Sequence, residues 1–489
     1  MRFHDIKIWV LPLAIAGSSS IVWAQCEGNV STPRGAADCA ATGTPRSVVS
    51  NVDPSHGYTL AELIDIAERN NPRARVAWER AKQKADQLGI ARSAYYPILA
   101  ADALFANERL IQPFPKPLAP QGYTVNTISL VQPEISLRYL LFDSGKRKAN
   151  VDVADAESLL AGANFIQTNQ EVAFRVATAY YALLTAQERL QATRDTLRTA
   201  KTTQDAAEAQ LRNGRATLPD VLNAKAETSQ AVFDEESADG DETISRVGLR
   251  DAIGAEPSPD ITIDAQKSDP LPQLLTLSID ELVDRALTDR PDLLAQAAEI
   301  RASASSIKAA KAEFGPSASF AGSAAQTSLW PSTNYGQLGS ASKPTWSAAL
   351  EIEWRIFDGG ERKHQLAAAE SKHREAQDEM TDKRDRATRE VWSAYIAFRT
   401  AIRKEEAAVA LLASANASYS ASLEAYRYGV RNLIDVVTAE KQLALARLSG
   451  VAARSDLFLQ AVNVEYVTGN LLRTRPPAVS TQVPSGEKP

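Results

Sequence analysis

A chain of 489 residues with 23% charged side chains and a formal net charge of -6 carries no basic surplus for nucleic acid to bind. Two cysteines and four histidines leave little from which to build a metal centre, and no cofactor is called for. No P-loop, G-x-S-x-G or H-E-x-x-H motif occurs, and the makings of a Ser-His-Asp triad are scattered, so an enzyme is not expected.

The N-terminus sets Arg2 and Lys7 ahead of an apolar run, residues 8–16, and of Ile21-Val22-Trp23-Ala24. This pattern makes residues 1–24 an expected export signal, too short to span a bilayer as a helix. No later stretch stays apolar for the roughly 18 residues a spanning helix needs, which leaves a soluble exported protein or a β-barrel. In an oxidising compartment Cys26 and Cys39 would close a small loop worth about 3 kcal/mol. A lipid anchor on Cys26 is the alternative, although Ala24-Gln25 lacks the small residue expected before it. Residues 25–57, rich in Gly, Pro, Ser, Thr and Ala, read as a flexible leader.

A helical pattern opens at Thr59, with Glu62 placed for a capping box, and runs towards Tyr95 before Pro97 stops it. Prolines and β-prone residues then share the segment 98–142. From Lys146 to Arg212 there is no proline and one glycine, Gly162. At 1.5 Å per residue that is a helix of roughly 100 Å, too long for most globular domains. Gly214 interrupts the helical pattern as a C′ glycine does, and a return helix is expected from Pro219 to about Ala252. The pair reads as a long hairpin with its tip at Gly214.

The whole plan then repeats. Ile279-Asp280-Glu281-Leu282 and Arg290-Pro291 echo Leu60-Ala61-Glu62-Leu63 and Asn71-Pro72 at an offset of 219, as Pro316 echoes Pro97. Phe357-Asp358-Gly359-Gly360 echoes Phe142-Asp143-Ser144-Gly145 at an offset of 215, as Gly429 echoes Gly214 and Gly469 echoes Gly254. The expected units are a first repeat at 58–257 with strands at about 97–142, a linker at 258–277, and a second repeat at 278–472 with strands at about 316–357. Residues 473–489, with four prolines, are expected to be a disordered tail.

The segment 346–357 alternates with period two. Trp346, Ala348, Leu350, Ile352, Trp354 and Ile356 share one face, and Ser347, Glu351, Glu353 and Arg355 share the other. In the first half Ile135, Leu137, Tyr139 and Leu141 stand against Glu134, Ser136 and Arg138. Aliphatic and aromatic residues on one face and charge on the other suit a membrane strand between lipid and a wet lumen. A half-buried strand of a soluble sheet alternates in the same way. Four strands per chain are too few to close a barrel, so a barrel would have to be shared between chains.

This order of elements resembles the TolC family of outer-membrane efflux and secretion channels, from Tyr58 to about Leu472. The likeness rests on the Asn-Pro and Arg-Pro motifs, the helix-ending prolines, the Phe-Asp-x-Gly exits and the tip pattern Tyr-x-x-Gly-x-x-x-x-x-Asp-Val. It implies a mainly α protein with a membrane β-barrel: a homotrimer with a 12-stranded barrel and a 12-helix periplasmic tunnel. A periplasmic adaptor and an inner-membrane pump of RND or ABC type would dock at the tips, in an outer membrane of the Gram-negative kind. The cargo is left open between small molecules and a secreted protein.

The resemblance also assigns residues at the tunnel entrance. Asp435 matches a pore aspartate, and Thr438 stands where a second aspartate is found in the family. Tyr426 and Arg431 match residues that link to an acidic partner, matched by Asp220. Gly214 and Gly429 match the tip glycines near which adaptors pack. Three copies of Asp435 around a narrow axis would repel one another and attract cations. An exposed Arg431–Asp220 pair is worth only about 0–1 kcal/mol, so several such links make a gate that a docking partner opens. Without the family, Asp435 is equally a first-turn helix acid and Arg431 a solvated charge. Trp392, Tyr395 and Phe398 lie at helical spacing and are read as packing between helices. The alternative to a channel is a periplasmic coiled-coil scaffold, which explains the helices but not the duplicated strands.

Overall fold

The computed structural model describes residues 32–42, 52–117, 119–264 and 278–472. The expected export signal, Cys26, most of the linker and the tail lie outside these residues. Helix α1 (Pro33–Thr42) and the short strand β1 (Gly57–Tyr58) come first. The first half then runs α2 (Leu60–Asn70), α3 (Pro72–Ser93), β2 (Ile98–Pro113), β3 (Tyr123–Phe142), α4 (Lys146–Arg212), α5 (Leu218–Ala252) and β4 (Thr262–Ile263). The second runs α6 (Ile279–Asp289), α7 (Pro291–Ala312), β5 (Ser317–Thr333), β6 (Gly336–Gln337), β7 (Ala341–Glu353), α8 (Glu361–Arg427) and α9 (Leu433–Val467).

The two halves are copies in three dimensions. Helices α2 to α5 have 11, 22, 67 and 35 residues, and α6 to α9 have the same four lengths. Their cores match as well: Leu63, Ala67, Val176 and Leu249 are buried in one cluster, and Leu282, Ala286, Val391 and Val464 in its counterpart. α4 packs along α3 and α7 over part of its length and along α5 and α9 over the rest, so the halves meet on it. Among the described residues no helix is long and apolar enough to cross a membrane.

The helix expected across residues 59–95 opens with the capping box Thr59–Glu62 but divides at Asn71-Pro72. Pro72 takes the first turn of α3, where its missing N–H costs nothing. Asn71 caps α3 through Arg73 N at 2.9 Å and donates its amide to the Ala252 carbonyl at 3.0 Å. Part of the stretch read as a flexible leader is also ordered. α1 lies against α3 and α4, with Ala36, Ala37, Cys39 and Ala40 buried. Small side chains let it approach, and Gly162 of α4 leaves the gap: a Cβ there would collide with the Pro33 carbonyl and come within 3.2 Å of Ala37 N.

The sheet has the order β2-β3-β5-β7, antiparallel throughout, with β6 on the end of β5. β2 and β7 are its edges, each facing no strand on one side among the described residues of the single chain. β7 ends at Glu353, so Trp354 and Ile356 lie beyond the strand in which they were expected. Trp354 instead donates its indole N–H to the Phe314 carbonyl at 3.0 Å, and Arg355 pairs with Glu313 at 2.6 Å. These bonds anchor the strand exit to the end of α7. Phe398 is fully buried and Tyr395 packs beside it, but Trp392 is 45% exposed and belongs to no interior seam of the chain.

Gly162→Ala should release α1 while leaving α4 intact. Limited proteolysis is expected to cut within residues 33–42 in the variant only, with far-UV helicity otherwise unchanged.

Candidate functional site

Both hairpin tips use the same backbone solution. Gly214 (φ 69°) and Gly429 (φ 76°) hold the left-handed turn that ends α4 and α8. Arg215 N returns to the Gln210 carbonyl and Val430 N to the Ala425 carbonyl, both at 2.8 Å. The following helices are capped differently. Thr217 caps α5 together with Asp220, whose carboxylate accepts from Thr217 N at 2.8 Å and from its hydroxyl at 2.7 Å. In α9 the cap is Asn432, whose side-chain oxygen accepts from Asp435 N at 2.9 Å.

An apolar cluster joins the tips. Ala207, Val221 and Ala224 from the first hairpin pack with Tyr419, Leu423, Tyr426, Leu433 and Val436 from the second. Gln210 adds a directional tie, donating its amide to the carbonyls of Tyr426 at 3.3 Å and Arg427 at 2.8 Å. These are last-turn carbonyls of α8; that of Tyr426 also accepts from Gly429 N at 2.9 Å. Gln210 escaped the sequence reading. A buried amide on the helical face of Ala207, just before the tip glycine, was its only signal.

The expected entrance residues fall into two groups. Tyr426 is buried between the tips, and burial first, then the nearby Asp220 charge, pushes its phenol pKa up. Its hydroxyl has no hydrogen-bond partner among the described residues. Asp220 is committed to its own helix cap. Arg431 is exposed, with no ion pair to Asp220 among the described residues, and Asp435 is half-buried in the first turn of α9. The Thr438 hydroxyl donates back to the Ile434 carbonyl at 2.7 Å. Gly214 and Gly429 lie at the exposed extremity, where Tyr428 and Val430 are each 78% exposed.

At the other end of the long helices, the sheet brings the expected strand residues onto one face. Ile135 stands opposite Ala324 and Ala324 opposite Trp346; Tyr139 stands opposite Phe320 and Phe320 opposite Leu350. Leu137 and Ile352 belong to the same face, while Glu134, Arg138, Glu351 and Glu353 belong to the other. Trp354 lies beyond β7. Below the sheet, two arginines missed in the sequence hold the Phe-Asp-x-Gly exits. Arg147 donates to the Leu140 carbonyl at 2.6 Å and lies over the Tyr95 ring, and Arg362 pairs with Asp358 and lies over the Phe314 ring. Cys39, on α1, is buried with Trp78 and Ala81 of α3 and Ala161 of α4, and Cys26 lies outside the described residues.

The sequence model described as outer membrane efflux protein matches residues 63–255 and 282–470. Protein CyaE of Bordetella pertussis is 26% identical over 416 residues, covering 85% of this chain and 85% of that protein. Outer membrane protein OprJ of Pseudomonas aeruginosa is 28% identical over 420 residues, covering 84% of each. In three dimensions the chain is similar to a membrane protein from Pseudomonas aeruginosa, with a TM-score of 0.73 at 24% identity, covering 86% of this chain and 99% of that one. At that identity the structural likeness shows the fold alone.

Gln210→Leu removes the tie to the Arg427 carbonyl and the second bond to that of Tyr426 and should cost about 0.5–1.5 kcal/mol, read as a lower melting temperature with faster hydrogen exchange near residue 426. Tyr426→Phe removes a hydroxyl with no partner, so its melting temperature is expected to match the wild type or exceed it.

Proposed function

We propose, because this chain belongs to the outer membrane efflux protein family, the TolC family of channels, that it is the outer-membrane exit duct of a tripartite efflux pump or a type I secretion system. The observation that carries the proposal is the sheet: four strands, one apolar face and two unpaired edges, held at the end of 67-residue helices. In lipid each backbone N–H and C=O needs a partner, so only a closed barrel can cross as strands. Pairing β2 of one copy with β7 of the next closes three copies into 12 strands. The four long helices of each copy, α4, α5, α8 and α9, then make a 12-helix tunnel on the periplasmic side. Ile135, Leu137, Tyr139, Leu350 and Ile352 face lipid, and the charged face lines the lumen.

The tips form the entrance. Three Asp435 carboxylates around the axis favour cations, and Thr438 makes the ring single rather than double. Arg431 is free to reach Asp220 of an adjacent hairpin, and Tyr426 already lies in the field of that charge. Links of this strength hold a gate shut and still yield to a partner. The exposed apolar tips around Gly214 and Gly429 are the docking points for a periplasmic adaptor, itself bound to an RND or ABC pump. Residues 1–24 serve as the export signal, and Cys39 with Cys26 closes a disulfide.

Single-channel recording of the purified protein in planar bilayers tests this reading. The wild type is expected to give a small, cation-selective conductance, and Arg431→Ser combined with Tyr426→Phe a several-fold larger one. Stable channels with unchanged conductance would remove the gate assignment. Folded protein that forms no channel would remove the duct.

A further inference from the structure

Just above the tips, α9 buries a carboxyl group that has no counterpart in the first half. Glu440 is 6% exposed, whereas Lys225, the equivalent residue 215 positions earlier, is exposed and faces Glu208 at 3.5 Å. Glu440 Oε2 accepts a 2.6 Å hydrogen bond from the hydroxyl of Thr203 on α4. Thr203, 1% exposed, also lies 3.2 Å from the hydroxyl of Tyr419 on α8, and that hydroxyl reaches the Thr199 carbonyl at 3.4 Å. Three helices from both hairpins therefore converge on one acid.

We propose, resting on the gated-duct reading above, that Glu440 with Thr203 and Tyr419 is a latch between the two hairpins whose hold depends on whether the carboxyl carries its proton. Thr203 has one hydroxyl proton but stands within hydrogen-bond distance of Glu440, of Tyr419 and, at 3.2 Å, of the Thr199 carbonyl. When Glu440 is ionised, that proton goes to the carboxylate, and the single Tyr419 proton must choose between the Thr203 oxygen and the Thr199 carbonyl, which keeps its helix bond either way. When Glu440 is protonated, it donates to Thr203, Thr203 donates to Thr199, and Tyr419 keeps its own proton for the same carbonyl. Of the four side-chain contacts the neutral acid fills three and the carboxylate two.

The surroundings act in the same direction. Burial pushes the Glu440 pKa up, opposed by the Thr203 hydrogen bond; Glu227 of α5 raises it further, and Lys441 and Arg447 of α9 lower it. Neither cation is bonded to the carboxyl: Lys441 pairs with Glu227 at 2.8 Å, and Arg447 donates to the Thr196 and Thr199 hydroxyls at 3.4 and 3.2 Å. α8 presents Tyr419 and Arg427 to this cluster, and α4 sets Asp195 and Arg198 near Arg447. An acid whose pKa is raised in the packed state binds its proton more tightly there than when turned to water. The latch is therefore firm at low pH and loosens as pH rises through the packed-state pKa, by at most about tenfold per pH unit for each carboxyl.

Conductance recorded in planar bilayers from about pH 5 to pH 9, spanning the range of raised carboxyl pKa values, tests the latch. Wild-type channels should open more as pH rises. Glu440→Gln, which keeps the shape and cannot ionise, should stay low and flat. Thr203→Val, which removes the donor to the carboxylate, should move the midpoint to higher pH. A Glu440→Gln profile that rises as the wild type does would overturn the latch while leaving the duct in place. A second measurement does not depend on channel formation: hydrogen exchange of residues 436–446, corrected for the intrinsic rate. Protection there should grow on acidification in the wild type and not in Glu440→Gln. Equal growth in both overturns the latch, whereas the expected difference without any conductance supports the latch and counts against the duct.

Discussion

The seam between α4 and α9 is the contact on which the rest of the molecule depends. Each long hairpin is a two-helix ribbon with little interior of its own, and the two ribbons join chiefly where α4 meets the second half. The seam is tied at several heights. Near the helix–sheet end Gln170 donates to the Gly469 carbonyl at 2.8 Å, midway Thr185 bonds Ser455, and lower down Thr203 bonds Glu440 at 2.6 Å. Gln210 closes the series at the tip, on the carbonyls of α8. Between these ties lie alanines and aliphatics, which hold the helices close without fixing their relative slide, and the stacked pairs Phe174–Tyr466 and Tyr181–Phe458. Directional bonds at intervals supply the register that small apolar side chains lack.

Duplication explains the architecture, and the departures from it explain the chemistry. Asn71 and Arg290 occupy one position in the two halves and donate to equivalent carbonyls, Ala252 and Val467, yet Arg290 also pairs with Asp292 and Glu390. Ser144 stands where the second half has Gly359; it accepts a left-handed backbone (φ 55°), and its hydroxyl bonds the Pro316 carbonyl at 2.8 Å across the halves. Lys225 and Glu440 part in the same way, one solvated and one buried. A tandem repeat gives every position two environments once its halves pack against each other, because each half meets a different neighbour.

Much of the fold was legible from local signals. The absence of proline over residues 146–212 sets an uninterrupted helix, and the tip glycines end it in the left-handed region. The Thr59–Glu62 and Ser278–Glu281 boxes open their helices as short-range chemistry requires. Period-two alternation put Ile135, Leu137, Tyr139, Leu350 and Ile352 on one face, a property that a strand carries with it. The order at α1 was not legible, since its residues are individually unremarkable. Its place depends on a missing side chain at Gly162, more than a hundred residues away.

The sequence alone thus determined the long helices, the tip glycines and the strand faces, because each follows from residues within a turn or two of one another, and the repeat, because its motifs recur at fixed offsets. Only the tertiary structure decided which polar side chains would be buried and whom they would meet. Asp220 turned out to serve its own helix, Tyr426 to lose its hydroxyl to the interior, and Gln210, Thr203 and Glu440 to bridge hairpins. Each of these outcomes is set by which helix lies alongside, and pairings across two hundred residues leave no periodic trace in the chain.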